Sequence, residues 1–198
     1  MKSLNELFRL VILANELGNN LKLAYTFSDP DGVRTGKSGW SFGVCQFDTR
    51  NNSQALKCLA ACGFSEDEIR GIVDQTIDVR PFAARLKASA DIISRYDEAQ
   101  LSRCIFMAMD FYAQHSIPVT DTGAILASAD YVNQYGSQGE GFAAYMRDIK
   151  RIIVAADILD FKLTHTKYGR EHPADCRRRY DNLVKILKAE GVNGASAA

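Results

Sequence analysis

ELGNNLKLAYTFSDPDGVRTGKSGWSFGVCQFD, residues 16–48, is the stretch around which the rest of the chain is read. It opens with a carboxylate, Glu16, at the end of an apolar run in which Leu4, Phe8, Val11 and Ile12 recur at helical spacing. That spacing predicts a helix over residues 3–17, with Gly18 as its stop. Phe8, Ile12 and Glu16 are each four apart, so Glu16 belongs beside the apolar stripe and not opposite it. Beyond Gly18 the character changes. Leu21, Leu23 and Tyr25 alternate, Asp29-Pro30-Asp31-Gly32 marks a turn, and Gly36, Gly39 and Gly43 follow closely. A small, irregular β-hairpin or meander is expected near residues 20–48.

From residue 51 onward the signals are helical. Residues 51–61 form one helix, stopped by Gly63; Ser65-Glu66-Asp67-Glu68 is a capping box that opens the next, over 66–75. Residues 81–95 read as a helix with Pro81 near its start. Residues 97–114 are apolar nearly all round, which predicts a buried central helix. Thr120 or Asp121 caps a helix reaching about Tyr135, residues 136–141 form a loop, 142–160 are helical in one or two pieces, and His172-Pro173 opens a last helix to about Glu190. The expected fold class is therefore α+β, mostly helical. It forms a single domain over residues 1–198 with a frayed tail at 191–198.

The 198 residues suffice for one sizeable core. Lys plus Arg equals Asp plus Glu, 24 against 24, so no overall field draws the chain onto nucleic acid or anionic lipid. No stretch approaches the roughly 20 apolar residues of a membrane span. The N-terminal run is interrupted by Arg9 and lacks a small-residue cleavage site, so no signal peptide is expected. Five cysteines, with no CxxC pair, read as small buried hydrophobes under reducing conditions; three histidines are too few to complete a zinc site with them. A calcium loop starting at Asp29 or Asp31 would need Glu in the twelfth position, where Trp40 or Phe42 stands.

What remains is carboxylate chemistry. Cleaving a sugar–sugar bond needs a proton delivered to the leaving oxygen, and a carboxylic acid resting on apolar groups stays protonated near neutral pH. Glu16 has the position for that role. The opposite face of the sugar then needs a carboxylate, a positioned water or a sugar group, and Asp29 and Asp31 lie in the adjoining β segment.

The order Glu16, Leu21-Lys22-Leu23-x-Tyr25, Asp29, a glycine-containing turn, then Ser41-x-Gly43 resembles the lysozyme superfamily, and phage-type lysozymes in particular. Ser41-Phe42-Gly43-Val44-Cys45-Gln46 also resembles the Gly-x-x-Gln element of goose-type lysozymes and lytic transglycosylases. Ala129-Asp130-Tyr131-Val132-Asn133-Gln134-Tyr135-Gly136 is similar to the Tyr-Asn-x-Gly segment of the transglycosylases. The resemblance covers the first quarter of the chain plus one patch near residue 130.

It implies a lysozyme-like fold and cleavage of the β-1,4 bond between N-acetylmuramic acid and N-acetylglucosamine in peptidoglycan glycan strands. Glu16 is then the general acid; Asp29, Asp31 and Ser41 are candidate assistants; Tyr25, Gln46, Tyr131, Asn133 and Tyr135 are candidate glycan contacts. Tyr131 and Tyr135 compete for one role. No cofactor is implied. The enzyme is expected to be made in the cytoplasm and to reach the wall through a holin or a secretion machine. A lytic transglycosylase is the nearest alternative, and a non-catalytic, wall-binding helical interaction protein is the alternative from another class.

Each candidate also has a plain structural reading. Asp29 and Asp31 are ordinary turn residues, Ser41 and Gln46 can satisfy backbone groups, and Trp40 can be core. Arg177-Arg178-Arg179 reads as a solvated helix face. Glu16 can be a helix-terminal surface carboxylate, but a Glu near a helix C-terminus opposes the helix dipole and gains nothing there structurally, which favours the functional reading.

Overall fold

A computed structural model describes residues 2–32 and 36–192; the expected frayed residues 193–198 lie outside the described residues. Among the described residues the chain forms ten α-helices, two 3-10 turns and one two-stranded antiparallel sheet. The mostly helical α+β expectation therefore holds. No helix among them is long and apolar enough to cross a membrane. Two compact units are present, one of residues 16–100, the other of 1–15 with 101–198.

The unit of residues 16–100 carries the sheet. Helix α1 (Leu4–Leu17) ends where Gly18 takes the left-handed backbone, φ +55°. The alternating Leu21, Leu23 and Tyr25 do not form a strand. They make a 3-10 turn, Leu21–Tyr25, because the Asn20 side chain accepts the Lys22 N–H and starts a helical turn. Leu21 and Leu23 stand exposed while Ala24 is buried, so the period of two found no layer to cover it.

Strands β1 (Ser41–Phe42) and β2 (Phe47–Asp48) pair with Ser41 opposite Asp48 and Phe42 opposite Phe47. Ser28 adds a bridge to the outer edge of β1. Helix α2 (Ser53–Ala61) is capped by the Asn52 side chain, and α3 (Glu66–Val73) by the predicted capping box of Ser65 and Glu68. The single helix expected over 81–95 is broken. A 3-10 turn, Arg80–Phe82, leads into α4 (Ala83–Ala88), and Ser89 closes that helix with its N–H on the Arg85 and Leu86 carbonyls. Helix α5 (Ala90–Gln114) then begins afresh.

The other unit packs α6 (Thr122–Tyr135), α7 (Glu140–Asp148), α8 (Ala155–His165), α9 (Lys167–Glu171) and α10 (Pro173–Ala189) with the second half of α5. Asp121 caps α6 and Gly136 ends it, as read. Tyr112, Tyr131, Phe142, Met146, Ile158 and Phe161 build the core. Helix α8 lies among α6, α9 and α10. Helix α9 escaped the sequence reading. Its Gly169 is required by close packing, since a Cβ there would lie 1.8 Å from the Lys162 carbonyl oxygen.

Helix α5 is not buried on every side. Leu101, Cys104, Ile105, Ala108 and Tyr112 form its inward stripe, while Phe106 is 67% exposed and Met109 45%. Burial follows one stripe at helical spacing, and a helix can carry apolar residues off it. All five cysteines are buried thiols.

Candidate functional site

Glu16 occupies the last turn of α1 and is half-buried. Tyr25 closes the 3-10 turn and is likewise half-buried. Asp29 folds its own turn, with Oδ1 accepting the N–H groups of Asp31 at 3.2 Å and Gly32 at 3.0 Å. Asp31 is exposed, and its Oδ2 accepts the Ser38 N–H at 2.7 Å. Ser41 is 2% exposed and its backbone exchanges hydrogen bonds with Ser28 at 2.9 and 2.8 Å.

The connection between the two strands, residues 43–46, carries two left-handed residues. Gly43 has φ +78°, and a Cβ on it would lie 2.9 Å from the Phe47 ring and 3.0 Å from Asp97 Oδ1. Gln46 has φ +51°, a left-handed conformation that a side chain other than glycine adopts only when its surroundings hold it there. The surroundings are specific. Gly43 donates its N–H to the Ala24 carbonyl at 2.8 Å. The buried Asp97, in α5, accepts the Val44 N–H at 3.0 Å and the Cys45 N–H at 2.9 Å, one on each carboxylate oxygen. The Gln46 amide is then fixed at both ends, its Oε1 accepting from Ser28 Oγ at 2.8 Å and its Nε2 donating to the Gly43 carbonyl at 2.9 Å. Gln46 as a whole remains half-buried.

Asp48 ties the base of the hairpin. It accepts N–H groups from Gly39, Arg50 and Asn51 and the Asn51 amide. Burial alone would raise its carboxyl, but these bonds hold it below the usual carboxylate range. Arg50 reaches back with Nη1 to the Gly36 carbonyl at 2.6 Å and the Ser38 carbonyl at 3.2 Å, fastening the start of the segment.

In the other unit, Tyr131 is buried and stacks on Tyr135, ring centroids 4.4 Å apart. Burial pushes both phenols up from their ordinary value. Asn133 is half-buried and accepts a long contact from Cys104 Sγ at 4.0 Å. Beside them lies an ion cluster. Arg179 grips Asp130 with two hydrogen bonds, one of them 3.1 Å from Nε to Oδ2. Lys162 Nζ stands 3.8 Å from Asp130 Oδ2 and donates to Gln134 Oε1. Asn15 Nδ2 donates to Asp130 Oδ1 at 3.3 Å, and Asn182 donates to Asn15. Burial would raise the Asp130 carboxyl, yet Arg179 and then Lys162 outweigh it and hold it low. Burial pushes the Lys162 ammonium the other way, down. The cluster lines a cavity of about 20 Å³, room for roughly one water.

The structure thus brings Ser28, Ser41 and Gln46 together, and Tyr131 with Tyr135. Sequence reasoning passed over Ser28 and Asp97, gave Asp130 no role of its own, and read Arg179 as part of a solvated face. The solvated face assigned to Arg177-Arg178-Arg179 holds for the first two; Arg179 is 5% exposed and faces inward. Its signal was spacing, three after buried Cys176 and four before buried Leu183. Asp97 had the same signal, midway between Ile93 and Leu101 on the inward stripe of α5. Among the described residues no group of His, Cys, Asp or Glu converges to hold a metal ion.

Comparison with family models, with curated proteins and with solved structures gives no match to this chain.

Proposed function

We propose that the chain is a peptidoglycan-cleaving glycosidase with a lysozyme-like fold. Its substrate is the β-1,4 bond between N-acetylmuramic acid and N-acetylglucosamine, and Glu16 is its general acid. The observation that carries this reading is Gln46. It is a strained, left-handed residue with its side-chain amide fixed at both ends, at the Gln position of the Gly-x-x-Gln element. Strain of that kind gathers at functional sites, where it holds a group in place before the ligand arrives. Glu16 is half-buried in the last turn of α1, and the proposal assigns it the proton delivered to the glycosidic oxygen. No step of this chemistry needs a cofactor.

A second reading within the class is favoured by the two turn aspartates. The carboxylates of Asp29 and Asp31 both accept backbone N–H groups of their own loop. That suits a scheme with one catalytic carboxylate, in which the muramic acid 6-hydroxyl attacks its own C1 as the glycosidic oxygen leaves with the proton from Glu16. The hydroxyl gives up its proton to the resulting carboxylate, and the product is a 1,6-anhydro sugar with no water added.

One experiment addresses both. Glu16→Gln should lower the rate of clearing of purified cell walls by at least about 10²-fold while the thermal midpoint stays in place. Clearing near the wild-type rate by that variant overturns the assignment. Mass spectrometry of the wild-type digest separates the two chemistries, since anhydro ends are lighter by one water than hydrolysed ones.

A further inference from the structure

We propose that Asp97 is a positioning residue of the glycan site, acting through Gln46. This rests on the glycosidase reading given above. Asp97 is 1% exposed, and both its carboxylate oxygens are engaged by consecutive N–H groups, Val44 at 3.0 Å and Cys45 at 2.9 Å. Two consecutive donors on one carboxylate fix the orientation of two peptide planes, and bonds to a charged acceptor are the stronger ones. Those planes lie between Gly43, at φ +78°, and Gln46, at φ +51°. The clamp therefore holds the part of the turn that keeps Gln46 left-handed. Gly43 permits it, because any side chain there would press on Asp97 Oδ1 at 3.0 Å.

The consequence falls on the Gln46 amide. A carboxamide has two N–H donors and two acceptor lone pairs. Ser28 Oγ takes one lone pair and the Gly43 carbonyl takes one N–H. One donor and one acceptor remain on the half-buried amide, a pair that matches the hydroxyl and acetamido groups of an amino sugar. Asp97 itself is buried and does not touch the ligand; it decides where that donor–acceptor pair stands.

The test is a double-mutant cycle in the full chain, with soluble glycan strands from peptidoglycan as the probe. Asp97→Asn keeps the shape but turns one N–H-accepting oxygen into a donor facing a donor. KM should rise about tenfold, the scale of one lost charged hydrogen bond, with kcat changed less than about threefold. In a Gln46→Ala background the same substitution should change KM no further. A KM left at the wild-type value, or an effect that is undiminished in the Gln46→Ala background, overturns the proposal. If Asp97→Asn does not fold, Asp97→Glu takes its place. It keeps the charge and both oxygens but displaces the turn by one methylene, so KM again rises only while Gln46 is present, and a wild-type KM overturns the idea. Absence of lysis by the wild-type chain would sink the glycosidase reading on its own. The clamp is then judged by NMR: side-chain amide resonances of Gln46 that shift in Asp97→Asn support it, and resonances that stay in place refute it.

Discussion

Asp97 and Asp130 are 1% and 5% exposed, and each must meet the same demand, that a buried carboxylate be fully hydrogen-bonded. They meet it with different partners. Asp130 is gripped by the guanidinium of Arg179, with Lys162 and Asn15 in support, so its bonds join α6, α8, α10 and the end of α1. Asp97 accepts two backbone N–H groups of one turn. The first arrangement links side chains from separate helices and so holds a fold. The second fixes two consecutive peptide planes of one turn and so holds a conformation. A buried carboxylate held by side chains of separate helices ties those helices together, whereas one that accepts consecutive backbone N–H groups fixes a turn.

The largest effect should come from breaking the first arrangement. Asp130→Ala leaves Arg179 and Lys162 beside each other without their carboxylate. Removing one partner of a buried ion cluster typically costs about 3–5 kcal/mol. For a chain of this size that is a fall of about 10 °C in thermal midpoint, measurable by calorimetry. The pH dependence has a definite sign. The Asp130 carboxyl is held low in the folded state, so its contribution is complete above the unfolded carboxylate value of about 3.9 and is lost as pH falls through the lower, folded value. The gap between wild type and Asp130→Ala should therefore be constant from neutral pH down to about pH 4 and close only below it. A gap that closes between pH 7 and 5 would mean that the Asp130 cluster is not what holds these helices.

Gly43→Ala tests the second arrangement. The added methyl lies 2.9 Å from the Phe47 ring and 3.0 Å from Asp97 Oδ1, on a backbone at φ +78°. Steric pressure and the left-handed backbone together should cost about 2–3 kcal/mol. The loss should read out in denaturant unfolding and should fall on the hairpin, with protection of the Val44 and Cys45 amides from hydrogen exchange reduced more than that of α8. Uniform loss across both units would erase the distinction between a carboxylate that holds helices and one that holds a turn.

Much of this was legible in the residues. The helix ending at Gly18, the cap at Asp121 (one of the two residues read for it) and the capping box at Ser65 are local signals, and local chemistry decides them. What escaped was set by a competing local cap in one place and by partners far along the chain in the others. Leu21, Leu23 and Tyr25 alternate like a strand, but Asn20 starts a 3-10 turn and no layer lies over them. Arg179 reads as one of three solvated arginines until Asp130, 49 residues away, supplies its counter-charge. Ser28 looks like a loop serine until the hairpin brings Gln46 to it across 18 residues. Gln46 itself was legible as a residue type at a spacing. Its left-handed backbone was not, because it follows from Asp97 and Gly43.

The smallest effect sharpens the comparison from outside both arrangements. At the start of α3 the Ser65 side chain accepts the Glu68 N–H at 3.2 Å, and Glu68 Oε2 returns a bond to the Ser65 N–H at 2.9 Å. Glu68 also holds Arg85 at 2.7 and 3.0 Å, and Arg85 lies over the Phe64 ring at 4.5 Å. Ser65→Ala removes one acceptor and leaves the rest, because alanine keeps the backbone N–H that Glu68 holds. The loss should be about 1 kcal/mol, or roughly 2–4 °C in thermal midpoint. KM and kcat on glycan strands should stay at wild-type values, since no bond of the Gly43–Gln46 turn is touched. Equal damage to KM from Ser65→Ala and from Asp97→Asn would mean that any loss of stability in this unit loosens Gln46. The Asp97 carboxylate would then be one support among many and not the clamp that positions it.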